Sequence, residues 1–184
     1  MAVAAFIDRD GVINEERGYV GKQCNFVLLP GVISGLLRLQ SLGYNLVIVT
    51  NQAGIARGLY AEEDYLQLTR YMNELFSKQG ITLSGVYHCP HLPVHGLGKY
   101  RLKCECRKPK PGLLFRARDD LDLDLSNSVL IGDKASDLGA GRAAGVQFCV
   151  LVRSGHLIND GDIQSADHCA VDLDAAAYWL ENKL

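Results

Sequence analysis

The sequence has no long apolar run, no marked excess of either charge and no tract of biased composition. No segment approaches the roughly 18–20 consecutive apolar residues that cross a bilayer, which excludes a helical membrane span. Lys and Arg number 19 against 21 Asp and Glu, a net charge of −2, so no whole-surface basic field exists for nucleic acid to read. Any anion must be bound locally. The N-terminus enters strand residues directly, without a basic region or small-residue cleavage site, which predicts a cytoplasmic protein. Internal repeats are absent, and no insertion is long enough for a substantial cap domain. No long apolar stripe demands a partner, so a monomer is expected. What is present, 48% hydrophobic and 22% charged residues over a length of 184, suffices for a single domain over residues 1–184 with an unstapled core.

Strand and helix patterns alternate almost throughout. Residues 3–7 form an apolar strand. Val32, Ile33, Leu36, Leu37 and Leu39 then recur at helical spacing between Gly31 and Leu42, and Gly43 is a helix stop. Further strands are expected at 46–49, 86–88, 129–131 and 148–152, and further helices at 61–78, 112–121, 136–144 and 173–181. This alternation predicts an α/β fold, doubly wound, with a mainly parallel sheet and helices on both faces. The stretch 152–167 is least regular, and Gly155, Asn159, Asp160 and Gly161 predict a mobile surface loop there.

The chemistry gathers at strand ends. The first strand stops at Asp8-Arg9-Asp10-Gly11, two carboxylates one residue apart; alone, this is also an ordinary acidic turn. The second strand ends in Thr50-Asn51-Gln52, Arg107-Lys108-Pro109 precedes a helix, and a later strand ends in Gly132-Asp133-Lys134, with Asp137 four residues on. In an open parallel sheet such ends share one crevice. A carboxylate such as Asp8 can attack phosphorus to give an aspartyl phosphate. Mg²⁺ held by Asp8, Asp133 and a main-chain carbonyl near Asp10 would neutralise the charge. Lys108, Thr50 and Asn51 would grip the phosphoryl oxygens, leaving Asp10 as general acid and base. In the loop after Gly11, Glu16, Arg17, Gly18 and Tyr19 offer a carboxylate for hydroxyls, a cation for a second phosphate and an aromatic edge. That set fits a small bisphosphorylated sugar, and equally a solvated loop.

Of six cysteines, Cys89, Cys104 and Cys106 lie close together, and His91 completes a Cys-x-His and Cys-x-Cys set over residues 89–106. The ligand types suit a closed tetrahedral zinc site, with unpaired thiols as the other reading; His88 and His95 are alternatives to His91. Cys24, Cys149 and Cys169 read as scattered structural thiols.

The ordered set Asp8-Arg9-Asp10-Gly11-Val12-Ile13-Asn14, Gly18-Tyr19-Val20, Thr50-Asn51-Gln52-Ala53-Gly54-Ile55-Ala56-Arg57-Gly58, Cys89-Pro90-His91, Cys104-Glu105-Cys106-Arg107-Lys108-Pro109 and Gly132-Asp133-Lys134 closely resembles the haloacid dehalogenase (HAD) superfamily of phosphatases. Within it, the narrower resemblance is to the heptose-1,7-bisphosphate 7-phosphatase family, over roughly residues 3–153. The resemblance implies a HAD-like fold and an Mg²⁺-dependent phosphatase with Asp8 as nucleophile, Asp10 as acid and base, and Asp8, Asp10 and Asp133 around the metal. It implies a structural Zn²⁺ on Cys89, His91, Cys104 and Cys106. Substrate contacts are implied for Arg9, Glu16, Arg17, Gly18, Tyr19, Gln52, Ala53, Arg107 and Lys134, and phosphoryl stabilisation for Thr50, Asn51 and Lys108. Val12 departs from the pattern, since many relatives carry Thr there. Histidinol-phosphate phosphatases share the Asp-x-Asp start and a similar zinc loop, and a non-catalytic phospho-ligand module is the competing reading from another class.

Overall fold

Six strands, β1 (Ala4–Ile7), β2 (Asn45–Asn51), β3 (Leu83–Cys89), β4 (Val129–Gly132), β5 (Phe148–Val152) and β6 (His168–Ala170), form one sheet in the order β3-β2-β1-β4-β5-β6. Every neighbouring pair is parallel. This is a computed structural model, and it describes residues 1–183. Because a parallel sheet is covered on both faces, its inner strands carry apolar residues at consecutive positions. All four residues of β1 and of β4 are buried.

Strand side chains alternate between faces, and the two cores divide accordingly. Ala5, Ile7, Leu46, Ile48, Val129 and Ile131 pack with α1 (Val32–Ser41), α3 (Glu62–Ser77) and α7 (Leu173–Glu181). On the opposite face, Ala4, Phe6, Val47, Val49 and Leu130 meet α4 (Gly112–Leu121) and α5 (Ala135–Ala144). Among the described residues no helix is long and apolar enough to cross a membrane.

Three expectations need adjustment. β3 starts at Leu83, earlier than its apolar core suggests, because Ser84 and Gly85 break the pattern while Leu83 and Gly85 still pair with β2 across a register shift at Ser84. A short helix, α2 (Ala53–Ala56), follows β2, too brief to show a helical period. The stretch read as a mobile loop contains α6 (Asp160–Ser165) and leads into β6. Asn159 caps that helix by accepting from the Asp162 amide at 3.0 Å, while Asp162 Oδ2 accepts from the Asn159 amide at 3.1 Å. Asn159 and Asp162 thus form a capping box rather than a turn.

The chain builds outward from β1 through β2 to β3, then returns to lay β4 against the other side of β1. That reversal opens a crevice at the carboxyl ends of β1 and β4. Asp8 follows one strand and Asp133 the other.

Candidate active site

A cleft of about 560 Å³ lies over those strand ends. Asp8, leaving β1, is tied to β4 by its amide, which donates to the Ile131 carbonyl at 3.0 Å. Lys108, just before α4, reaches in from the side: its Nζ lies 2.9 Å from Asp8 Oδ1 and 2.6 Å from Asp137 Oδ1, and donates to the Val49 carbonyl at 2.7 Å. All three charged side chains are buried. The Asp8 carboxyl is raised to about 6, the balance of burial, which pushes it up, Lys108, which pulls it down, and Asp137, which pushes it up. Burial alone would depress the Lys108 ammonium, but Asp137 and Asp8 outweigh it and raise it above the ordinary lysine value. The lysine therefore stays charged and supplies the counter-charge to the buried Asp8 and Asp137 carboxylates.

Asp10 is fixed by a different set of donors. Oδ1 accepts from Arg9 Nη2 at 2.9 Å and Asn14 Nδ2 at 3.0 Å, and Oδ2 accepts from Gln52 Nε2 at 2.8 Å. The same Gln52 amide donates to Thr50 Oγ1 at 2.8 Å, and its Oε1 accepts from Tyr60 at 2.6 Å. Thr50 Oγ1 thus accepts from the protein and keeps its own proton for a ligand. Arg9, expected among the substrate contacts, is only 1% exposed. It is held by Asp10 and the Val20 carbonyl, with its guanidinium 5.5 Å from the centre of the Tyr65 ring. It is not among the residues that line the cleft; its guanidinium lies beneath the site, where it donates to Asp10.

Around the cleft stand Glu16, Gly18, Tyr19, Asn51, Ala53, Arg107 and Lys134, all expected from the sequence. Arg17 is not among them: it turns outward to Glu15, Nη2 to Oε2 at 2.7 Å, and two such neighbours satisfy each other more readily than either reaches the cleft. Six further residues line the cleft, Leu92 and Ser136 among them. Arg57 lies with its guanidinium 5.6 Å from the centre of the Tyr19 ring, Tyr60 supports Gln52, Asp137 holds Lys108, and His156 comes from the stretch read as a mobile loop. Asp137 was visible as the second carboxylate after Gly132-Asp133. Tyr60 and His156 carry no local signal, since long-range packing brings them in.

Among the described residues, two groups of side chains have the composition of metal sites. Carboxylate oxygens of Asp8, Asp133 and Asp137 lie within 4.8 Å of one another. Asp133 Oδ1 is buried with no hydrogen-bond partner. Burial and the nearby Asp8 raise the Asp133 carboxyl, so the crowded anions gain from a cation. An all-oxygen set of this kind fits Mg²⁺. The Asp10 side chain is engaged elsewhere, so any part it plays in holding metal falls to its main-chain carbonyl. In the second group, Cys89, Cys104 and Cys106 have sulfurs 3.2–3.5 Å apart, and His91 Nδ1 is 3.4 Å from Cys106 Sγ and 3.8 Å from Cys89 Sγ. These separations exceed a disulfide's ~2.05 Å and approach the ~3.7 Å edges of a tetrahedron with zinc–sulfur bonds near 2.3 Å. The histidine that joins the three thiols is His91; His88 pairs instead with Glu62 at 2.9 Å. The cluster ends at Cys106, beside Arg107 and Lys108, and Arg107 Nη1 donates to the His91 carbonyl at 3.2 Å.

Residues 105–176 match the HAD-hydrolase-like family. The chain is 49% identical, over 85% of its own length and 84% of the relative's, to the D-glycero-β-D-manno-heptose-1,7-bisphosphate 7-phosphatase of Vibrio cholerae. It is 46% identical, over 81% and 79%, to the D-glycero-α-D-manno-heptose-1,7-bisphosphate 7-phosphatase of Burkholderia mallei. Among solved structures it superposes with a TM-score of 0.83 and 28% identity, covering 100% of both chains, on the D,D-heptose 1,7-bisphosphate phosphatase from B. bronchiseptica complexed with magnesium and phosphate.

Proposed function

The chain belongs to the D-glycero-D-manno-heptose-1,7-bisphosphate 7-phosphatase family of HAD-like hydrolases, and from that membership we propose that it removes the 7-phosphate of this heptose bisphosphate through an aspartyl phosphate on Asp8. The product is heptose 1-phosphate, a precursor of the nucleotide-activated heptose of lipopolysaccharide. The observation that carries the reading is the buried Asp8–Lys108–Asp137 array beside Asp133. A pure binding module has no need for a nucleophile held this way.

Asp8 attacks phosphorus, and the bond from phosphorus to the sugar oxygen breaks as Asp10 delivers its proton to that oxygen. Asp10, now a carboxylate, takes a proton from water as the water attacks the aspartyl phosphate, releasing inorganic phosphate and restoring the Asp8 carboxylate and the Asp10 carboxylic acid. Lys108 balances charge on Asp8 and on the phosphoryl oxygens, and the Thr50 hydroxyl donates to one of them. Asn51 acts through Lys108, whose main chain it grips on both sides. Mg²⁺, held by Asp8, Asp133 and the Asp10 carbonyl, supplies charge neutralisation and alignment when bound. Arg57, Arg107 and Lys134 offer cations at the rim for the second phosphate, and Glu16 an acceptor for sugar hydroxyls. Zn²⁺ on Cys89, His91, Cys104 and Cys106 is assigned a structural role, because four protein ligands leave no open position. Keeping three such thiols reduced calls for a cytoplasmic setting. One chain furnishes every residue named, so a monomer is the working unit.

The test is phosphate release from D-glycero-β-D-manno-heptose 1,7-bisphosphate and from histidinol phosphate, with Mg²⁺ and with Mg²⁺ chelated. Magnesium-dependent release from the heptose, favoured by orders of magnitude in kcat/KM, is expected. Preference for histidinol phosphate overturns the substrate, and release from neither overturns the enzyme.

A further inference from the structure

We propose that His156 is a positioning residue for Asp133: it occupies one carboxylate oxygen and thereby presents the other to the divalent cation. This inference rests on the reading of Asp133 as a metal ligand. Asp133 Oδ2 accepts twice from the same residue, from the His156 main-chain amide at 3.0 Å and from its ring at Nδ1, 2.6 Å away. An ionised carboxylate only accepts, so the ring proton sits on Nδ1. Asp133 Oδ1 is the oxygen left buried without a partner. With Oδ2 committed, the carboxylate cannot rotate to offer the wrong oxygen or both.

The segment that carries His156 is seated on the site by three further contacts. Ser154 Oγ donates to the Gly11 carbonyl at 2.8 Å. Gly155 packs so closely that a Cβ there would lie 2.0 Å from Asp133 Oδ2 and 2.7 Å from the Gly11 Cα. From the other side, a Cβ on Gly11, whose φ is +91°, would meet Asp133 Oδ2 at 2.2 Å. Two glycines therefore close around Asp133 and leave His156 over its outer oxygen. The far edge of the ring faces the cleft, where Nε2 is 3.9 Å from Glu16 Oε2. A histidine that merely lined the cleft for substrate would have no reason to aim Nδ1 at Asp133.

Conservative variants separate the two edges of the ring. Asparagine reproduces a donor at the Nδ1 position and glutamine reproduces one at Nε2. Mn²⁺ binding by the substrate-free protein is titrated by electron paramagnetic resonance, with circular dichroism to verify that each variant is folded. His156→Ala should weaken Mn²⁺ binding by about tenfold, the low end of the roughly 10–100-fold range for such supports, because the main-chain amide still holds Oδ2. His156→Asn should restore most of that loss and His156→Gln should not. Unchanged Mn²⁺ affinity in a folded His156→Ala, or rescue by glutamine instead of asparagine, overturns the assignment. Wild-type protein that binds no Mn²⁺ overturns the metal reading itself, which a binding titration reports independently of turnover.

Discussion

Asn51 grips Lys108 through the peptide backbone on both sides of its Cα: the Asn51 Nδ2 donates to the Lys108 carbonyl and the Lys108 amide donates to Asn51 Oδ1, each at 3.1 Å. The side chain at the end of β2 thus has both polar atoms engaged, and what it fixes is where Nζ meets Asp8. Asn51→Ala should lower kcat by about 10–100-fold while moving KM much less, with the loss of two hydrogen bonds worth roughly 1–3 kcal/mol. Lys108→Ala should be far worse, and the double variant no worse than Lys108→Ala alone, since Asn51 works through the lysine. Additive losses would mean that Asn51 contacts substrate independently.

Asp8→Asn should abolish turnover and, in metal-free protein at neutral pH, raise the thermal midpoint. The balance of burial, Lys108 and Asp137 lifts the Asp8 carboxyl from its ordinary 3.8 to about 6, so the folded state binds a proton more readily than the unfolded chain. Its charge is a liability at pH values above about 6, on the order of 1–3 kcal/mol. The liability shrinks as pH falls from about 6 and is gone below the unfolded value near 4. The stability gap between variant and wild type, followed by denaturant unfolding, should narrow over that window. A gap that widens on acidification contradicts the assigned shift.

Much of this could be seen in the order of residues, and the reasons for the exceptions are physical. Asp8, Thr50 and Asp133 sit where apolar strands stop, and a parallel sheet converts such positions into a common edge without further information. Arg9 reads as a ligand contact because it is a cation beside two carboxylates, yet it lies buried outside the cleft lining; which way it points depends on Tyr65, Val20 and Gln52, residues 11 to 56 positions away. Arg17 misled because its partner Glu15 was two residues back and equally plausible as a loop charge. His156 was hidden by its surroundings: Gly155, Asn159 and Gly161 read as turn chemistry, while the contact that gives the histidine its place crosses 23 residues.

Removing zinc should slow the enzyme without touching a reacting group. Cys106 ends the ligand cluster and is followed at once by Arg107 and Lys108, while Gly112 at the start of α4 donates to the Glu105 carbonyl at 3.0 Å. The thiol cluster therefore anchors the segment from which both cations project. Protein freed of zinc by chelation, checked by elemental analysis and then supplied with Mg²⁺, should lose at least about tenfold in kcat. Cys104→Ser should behave alike, and readdition of Zn²⁺ should restore only the wild type. Full activity in protein shown to contain no zinc would refute this dependence.

Tyr60 offers a finer test, because its hydroxyl touches no reacting group and its ring packs against backbone. The hydroxyl donates to Gln52 Oε1 at 2.6 Å, and Gln52 in turn holds both Asp10 and Thr50. The ring lies so close to Gly21 and Gly54 that a Cβ on either would come within 2.2 Å of it. Tyr60→Phe keeps that packing and removes one donor, while Arg9 Nη2 still reaches Gln52 Oε1 at 3.3 Å. Loss of one hydrogen bond with a partial substitute should cost about 1 kcal/mol, or roughly fivefold in kcat. Burial raises the Tyr60 hydroxyl above its ordinary value near 10, so it stays protonated throughout the working range. The ratio of wild-type to Tyr60→Phe rates should therefore be flat from about pH 6 to about pH 9. A ratio that changes with pH would show that Tyr60 influences the protonation of Asp10 rather than its position, and a steady-state pH profile of the two proteins distinguishes these roles.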